Sequence, residues 1–345
     1  MDLSGSAPRG GSEGAAEGTP AEARSLPELV ELHRAAGAPM RALAFGNFDG
    51  VHVGHGAILD LLRLEGARKG LRVTLLTFAP HPLTVLRPER APQAIEGLSA
   101  RLRRLKAAGA DEAWVARFDE ALRDVSAEAF AEALFGQLGA RVVVASADSR
   151  FGKGGQGDLD LLRSTAEAHG SIVIQVPAVS RSGLAVSSSR VRRALEAGDL
   201  PTAIACLGRW PTLDGRVVPG DQRGRTLGFP TANLEVGAIL RPAAGVYACW
   251  WECRGRVERA VANLGWRPTV AGNAWRCEAH VLNFAGDLYG QSGRLHLASR
   301  LRPEQRFEGL DALKSQIGRD VTLAREVLGA LEAQGRRPLA LELVP

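Results

Sequence analysis

Residues 46–62, GNFDGVHVGHGAILDLL, decide how the first half of the chain folds. They follow the β-rich run RALAF (41–45), and their apolar spacing from Ile58 onward reads as a helix. His52, Gly54 and His55 therefore fall on a strand-to-helix turn. On the C-terminal side, strand-like and helical patterns keep alternating: RVTLLTF (72–78), SARLRRLKAAG (99–109), RVVVAS (141–146), LDLLRSTAEAHG (159–170) and SIVIQV (171–176). From about 41 to 186 this alternation predicts a parallel sheet with helices on both faces.

The texture then changes. SSSRVRRALEAG (187–198) and DLPTAIACLG (199–208) read as two helices. Beyond them come Gly-, Pro- and Arg-rich segments with strand-like runs: GRVV, GVYACWWEC, RVERAVANLG, RCEAHVLNF and GRLHLAS. Strands closely followed by turn residues, with no intervening helix, predict an antiparallel β-barrel. FEGLDALKSQIG and DVTLAREVLGALEAQG return to helical patterns, the second capped by Asp320. At 345 residues the chain exceeds what one core usually organises. Two domains, 25–205 and 206–335, follow, with the seam near 200–212. Residues 1–24 are Gly, Ala, Ser, Glu and Pro with almost nothing to bury, and are expected to form a disordered tail.

Apolar residues make up 45% and charged residues 23%, an ordinary globular composition. The 43 Lys+Arg against 38 Asp+Glu are scattered, which suits anionic small molecules better than a nucleic-acid groove. Cys206, Cys249, Cys253 and Cys277 show neither a CxxC pair nor zinc-like spacing with histidines, and read as small buried thiols. No basic segment precedes an apolar stretch at the N-terminus, and no apolar run is long enough to span a bilayer. A cytoplasmic protein is expected, with no membrane or nucleic-acid partner and with room for a homo-oligomer.

In an open α/β sheet, ligands bind at strand-to-helix turns, where a helix N-terminus offers unpaired N–H groups to a phosphate. Two imidazoles at this place are suited to donate to a triphosphate. Gly50 and Gly54 admit close backbone approach, and Asp49 is placed to orient an imidazole or a metal-bound water. Loop histidines with no ligand, or a zinc pair, are the competing readings; the pair lacks HExxH spacing and a nearby third ligand. At the far end of the same half, Ser187, Ser188 and Ser189 lead into a helix carrying Arg190 and Arg192. By itself a serine run is an N-cap, but hydroxyls, N–H groups and a guanidinium together make a second phosphate cradle.

The pair GNFDGVHVGH and SSSRVR resembles the two signatures of the HxGH nucleotidyltransferase superfamily, in the wording of its FMN adenylyltransferase branch. No Walker A sequence competes for ATP. The resemblance implies a Rossmann-like domain whose ATP site includes Gly46, Asn47, Asp49, Gly54, Asp148, Ser187, Ser188, Ser189 and Arg192, with His52 and His55 catalytic.

The other half carries GDQRGRTLGFPTANL (220–234). Thr231 and Asn233 offer hard oxygens suited to Mg2+ on nucleotide phosphates; PTAN also reads as a turn followed by a strand. GVYACWW, ANLGWRPTV, RCEAHVLNFAGDLYGQ and LRPEQRFEGLDAL follow in an order that resembles the riboflavin kinase domain. About residues 25–335 are thus similar to the bacterial bifunctional riboflavin kinase and FMN adenylyltransferase family, often called FAD synthetase. That resemblance implies riboflavin, FMN and ATP as substrates and Mg2+ as cofactor. It puts Gly228, Thr231 and Asn233 in the kinase's Mg-ATP site and makes Glu278 the general base for the ribityl hydroxyl. Arg302 holds flavin by charge and Phe307 by packing. Glu278 also reads as a solvated strand residue sharing a face with His280.

One segment departs from the family. SADSRFGKGGQGD (146–158) keeps Asp148, Arg150, Phe151, Gly152 and Lys153, but Ser146, Ser149 and Gly155 replace the expected Gly, Phe and Arg. Losing an aromatic contact and an Arg is expected to weaken the adenylyltransferase half. Two further readings follow: a riboflavin kinase with a degenerate N-terminal domain, and a nucleotide- or flavin-binding regulator without turnover.

Overall fold

RALAF forms β1 (Arg41–Phe45), which alternates Ala42 and Ala44 on one face with Leu43 on the other, all fully buried. A strand buried on both faces belongs at the centre of a parallel sheet. The sheet runs β3-β2-β1-β4-β5, with β2 at Arg72–Ala79, β3 at Glu112–Arg117, β4 at Ala140–Ser146 and β5 at Ile172–Val176. All its pairings are parallel. The structure is a computed structural model describing residues 22–338 apart from 221–223, 225–227, 270, 271 and 285.

Helices cover both faces, as the alternation predicts. Leu59 and Leu62 of the Val53–Lys69 helix pack on Ala42, Ala44, Val142 and Val144. On the other face Leu43 and Val143 meet Phe130, Leu134 and Leu162. Leu43→Ala would cost about 2–5 kcal/mol, because neither layer can collapse into the gap. The chain builds β2 and β3 to one side of β1, then crosses to place β4 and β5 on the other. The crevice between the C-terminal ends of β1 and β4 is therefore a topological switch point.

The second half is a closed antiparallel barrel in the order β10-β11-β12-β9-β8-β13. Its strands are β8 (Thr212–Val218), β9 (Ala232–Val236), β10 (Gly245–Cys253), β11 (Arg256–Thr269), β12 (Gly272–Val281) and β13 (Ser292–Arg302). A two-stranded hairpin, β6 (Ser180–Arg181) and β7 (Leu184–Ala185), precedes the helices that join the halves. Inside the barrel lie Cys249, Trp251, Ala262, Leu264, Cys277, Ala279, Leu295 and Leu297. Val246, Ala248 and Trp250 point the other way, under Ala324 and Leu328 of the Leu310–Ala333 helix. All four cysteines are free and buried.

Several sequence expectations need correction. The helix after β1 begins at Val53, so Gly54 and His55 lie in its first turn and not on the turn before it. The two C-terminal helical patterns are one helix, and Asp320 is buried inside it rather than at an N-cap. Its carboxylate receives Arg302 (2.8–3.1 Å) and Gln316 (2.9 Å), a tertiary demand that outweighs its capping preference. Residues 1–21 of the expected tail lie outside the described residues, whereas Arg24 pairs with the edge of β3, its N–H on Val115 O (2.9 Å) and its carbonyl accepting from Arg117 (2.7 Å). β3 was not legible as a strand, and β9 is the strand that the turn reading of PTAN allows.

The halves share a core. Val191, Leu195, Leu200, Cys206 and Leu207 pack with Leu213, Leu234 and Leu297 of the barrel. Polar ties cross the same seam: Arg103 donates to Asp214 (2.8 Å) and Arg104 to Thr212 (2.5 Å).

Candidate active sites

A cavity of about 960 Å³ opens at the switch point. Of the sequence-predicted residues it gathers Gly46, Asn47, His52, Gly54, His55, Asp148 and Ser187 into one wall. Phe45, Phe78, Phe118, Phe130 and Phe151 give it an aromatic side, with Phe45 edge-on to Phe130 (5.3 Å) and to Phe151 (5.7 Å).

The two histidines cap their own helix. The His55 N–H donates to His52 Nδ1 and the His52 N–H to His55 Nδ1, each at 3.3 Å, and the rings stack with centroids 3.6 Å apart. Because each Nδ1 is an acceptor, a neutral ring must carry its proton on Nε2. The rings are neutral: burial pushes His52 down to about 4 and His55 well below the ordinary imidazole value. Each half-site is thus a neutral Nε2–H donor at a helix N-terminus, which can meet a phosphate oxygen without first losing a proton.

The turn that carries them is strained and heavily tied. Phe48 (φ 46°) and Val51 (φ 36°) are non-glycine residues in the left-handed region, a conformation costing about 1–3 kcal/mol each unless the surroundings impose it. Gly50 (φ 80°) leaves no room for a side chain, since a Cβ would sit 2.8 Å from Ile95 Cδ1. Every carbonyl from Asn47 to His52 has a donor. Asn47 O receives Thr77 (3.1 Å) and Arg101 (2.9 Å), and Phe48 O receives the Val51 N–H (3.1 Å). Asp49 O receives Ser188 Oγ (2.8 Å), Gly50 O and Val51 O receive Arg209 (2.7 and 2.9 Å), and His52 O receives the Gly56 N–H (3.0 Å).

Asp49, Ser188 and Arg192 stand behind the cavity wall. The Asp49 carboxylate, 1% exposed, accepts the Ile95 N–H (3.0 Å) and Arg192 (2.5 Å) and faces Arg101 at 3.9 Å. Arg192 Nε donates to Gln93 O (2.8 Å). The two sequence signatures therefore bind each other, and Asp49 holds the turn rather than an imidazole. Ser187 caps its helix through the Arg190 N–H (3.2 Å), while Ser189 is exposed. In the departing segment Ser149 Oγ accepts from Ser146 N (3.1 Å), closing the loop locally. Gly155 has φ 67°, so the backbone here suits glycine at the position where the resemblance led to an expected Arg.

The barrel presents its predicted residues in one line. Asn233 of β9 is directly opposite Glu278 of β12, Glu278 opposite Asn263 of β11, Asn263 opposite Val246 of β10, and Val246 opposite Arg302 of β13. Directly opposed residues share a face, so Asn233, Glu278 and Arg302 lie on the outer surface of the barrel. Three strand spacings of about 4.8 Å separate Glu278 from Arg302, too far for an ion pair. Arg302 is committed to Asp320 and lies 5.8 Å over the Phe307 ring. His280 holds the loop before Thr231, donating from Nδ1 to Pro230 O (2.8 Å). Gly228 (φ 86°) turns the chain into that loop.

Known proteins match along this same division. The FAD synthetase family matches residues 36–190 and the riboflavin kinase family residues 207–328. A bifunctional riboflavin kinase/FMN adenylyltransferase of Escherichia coli K12 is 39% identical over 304 residues, covering 86% of this chain and 96% of its own length. The chain belongs to the bifunctional riboflavin kinase/FMN adenylyltransferase family. Namesakes from Pseudomonas fluorescens (38%; 88% and 96% covered) and Bacillus subtilis (31%; 81% and 89%) agree. A solved chain described as a macrolide-efflux protein from Streptococcus pneumoniae superposes with TM-score 0.76 at 29% identity, covering 83% of this chain and 94% of that one. Among the described residues no helix is long and apolar enough to cross a membrane.

Four residues that hold the turn, Thr77, Ile95, Arg101 and Arg209, carry no mark in the sequence. Nor does His81, whose Nδ1 accepts from Leu83 N (3.1 Å) and whose Nε2 lies 3.2 Å from the Asn47 amide nitrogen. Asn47 Oδ1 is buried without a partner among the described residues, so turning the amide over gives His81 Nε2–H its acceptor.

Proposed function

We propose that the cavity at the ends of β1 and β4 joins FMN to the adenylyl group of ATP, and that the Asn233–Glu278 face of the barrel phosphorylates riboflavin. The activities themselves are those of the family, riboflavin kinase and FMN adenylyltransferase. The observation that carries the assignment is the paired Nε2–H donors of His52 and His55 at a helix N-terminus lining a cavity of about 960 Å³.

In adenylyl transfer a phosphate oxygen of FMN attacks the α-phosphorus of ATP and pyrophosphate leaves. The nucleophile is already ionised and needs no base. His52 and His55 donate to the oxygens on which charge accumulates, in a site partly walled by phenylalanine. Asp49, Ser188 and Arg192 act indirectly by fixing the turn.

In the kinase half, the hydroxyl of the ribityl chain loses its proton to Glu278 as it attacks the γ-phosphorus of ATP, and ADP leaves. Bound Mg2+ supplies charge neutralisation on the phosphates. Thr231 and Asn233 would hold it: Asn233 Oδ1 is a buried hard oxygen without a partner among the described residues. Gly220 makes room for this side chain, since a Cβ there would lie within 2.6 Å of three Asn233 atoms. Arg302, with Asp320 neutralising its charge, serves the flavin as a stacked platform with Phe307 more than as a free cation.

The same reading keeps the protein cytoplasmic, with riboflavin, FMN and ATP as its small-molecule partners, and divides it at 205/206. Its test is a double dissociation: His52→Asn abolishes FAD formation from FMN and spares FMN formation from riboflavin, and Glu278→Gln does the reverse. Parallel loss of both reactions in either variant would defeat the assignment.

A further inference from the structure

Arg209 lies beyond the boundary of the adenylyltransferase half, in the segment between the Leu200–Leu207 helix and β8. Its guanidinium nevertheless reaches back across the seam. Nη2 donates to Gly50 O at 2.7 Å, and Nη1 to Val51 O at 2.9 Å and to Leu207 O at 3.3 Å. Glu96, itself held by Arg104 (2.6 Å), approaches to only 3.6 Å. The guanidinium is thus spent on carbonyls first and on its counter-ion second.

Those two carbonyls belong to the strained part of the turn. Gly50 and Val51 both have positive φ, and the next residue is His52. A β-branched residue at φ 36° is held there only if its surroundings over-determine it. Arg209 is the donor for both carbonyls, and its planar fork spans them in a way an ammonium cannot. Among the described residues, the other ties from outside the turn, from Thr77, Arg101, Ser188, Arg192 and the Ile95 N–H, reach Asn47 and Asp49 and not Gly50 or Val51.

We infer that Arg209 is a positioning residue for adenylyl transfer: from the kinase side of the seam it clamps the Gly50–Val51 carbonyls and so fixes the place of His52 and His55. The adenylyltransferase site is then incomplete without a residue of the segment that leads into the barrel. The inference rests on the reading that the Gly46–His55 turn carries adenylyl transfer.

The experiment uses the full chain, with FAD formation from FMN and FMN formation from riboflavin measured on the same preparation, so that the kinase reports on folding. Arg209→Met should lower adenylylation kcat about 100-fold, the scale of a small misplacement of catalytic groups, with KM for ATP little changed and kinase turnover kept. Arg209→Lys should fall between, and added guanidinium ion should restore part of the kcat of Arg209→Ala. Arg103→Ala, which cuts the Asp214 tie across the same seam, should leave adenylylation intact. The inference is overturned if the Arg209 variants keep normal adenylylation, if both activities fall together with the folded fraction, or if Arg103→Ala shows the same selective loss. His52→Asn separates the two levels. If it loses adenylylation while Arg209→Met does not, only the inference fails; if it spares adenylylation, the reading of the turn fails with it.

Discussion

Glu278 stands directly opposite Asn233 across β12 and β9, and Asn263 flanks it on the other side. A carboxylate is thus held one strand spacing from a buried amide oxygen that has no partner among the described residues. On the proposed reading, base and metal ligand occupy one row of the barrel, an arrangement suited to hydroxyl-to-phosphorus transfer. Glu278→Gln keeps the shape and removes the proton acceptor. It should lower kinase kcat by about 100-fold or more, read as FMN formed from riboflavin.

Asn233→Ala should act differently. Loss of an oxygen ligand weakens metal binding before it alters the base, so half-saturation in the kinase reaction should need roughly tenfold more Mg2+, the equivalent of about 1.4 kcal/mol. A Mg2+ titration at saturating riboflavin checks this; an unchanged midpoint with reduced kcat would place Asn233 outside the metal site.

The histidine pair predicts a pH dependence of stability. Folded His52 titrates at about 4, against about 6.5 in an unfolded chain. Between those values the unfolded state binds the proton and the folded state does not. Stability is therefore full above pH 6.5 and declines as pH falls toward 4, by about 3 kcal/mol for His52 alone. Urea midpoints from pH 7 to 4 should show the decline, and His52→Gln should flatten it. Adenylylation kcat/KM should show no inflection from this pair between pH 6 and 7.

Asp49 is a buried charge with three basic or N–H partners. Asp49→Ala strands Arg192 beside a buried gap and should destabilise the N-terminal half by about 3–5 kcal/mol. The urea transition of that half should move to lower concentration while the kinase keeps its activity.

The sequence exposed what is periodic or local. β1 and its turn were readable because an apolar run, two glycines and two histidines follow one another, and the barrel because short strands alternate with turn residues. His52 as the cap of its own helix was not readable, since it depends on ring orientation. Arg101, Ile95 and Arg209 escaped because 46 to 159 residues separate them from the carbonyls or carboxylate they meet, and nothing local marks an Arg as spent on backbone. Asp320 misled for the same reason: its partner, Arg302, lies on a barrel strand, so a residue suited to capping sits within a continuous helix. β9 was legible only as one of two readings of PTAN, because Pro230 and Asn233 mark turns as readily as they open a strand.

The central claim is that one chain carries both transfers despite Ser149 and Gly155. Purified protein incubated with Mg-ATP and riboflavin, and separately with Mg-ATP and FMN, followed by chromatography of the flavins, tests it most directly. FAD should form in both incubations, with FMN as the intermediate in the first. FMN accumulating from riboflavin, with no FAD from either, would contradict the account and leave a kinase with a silent N-terminal half.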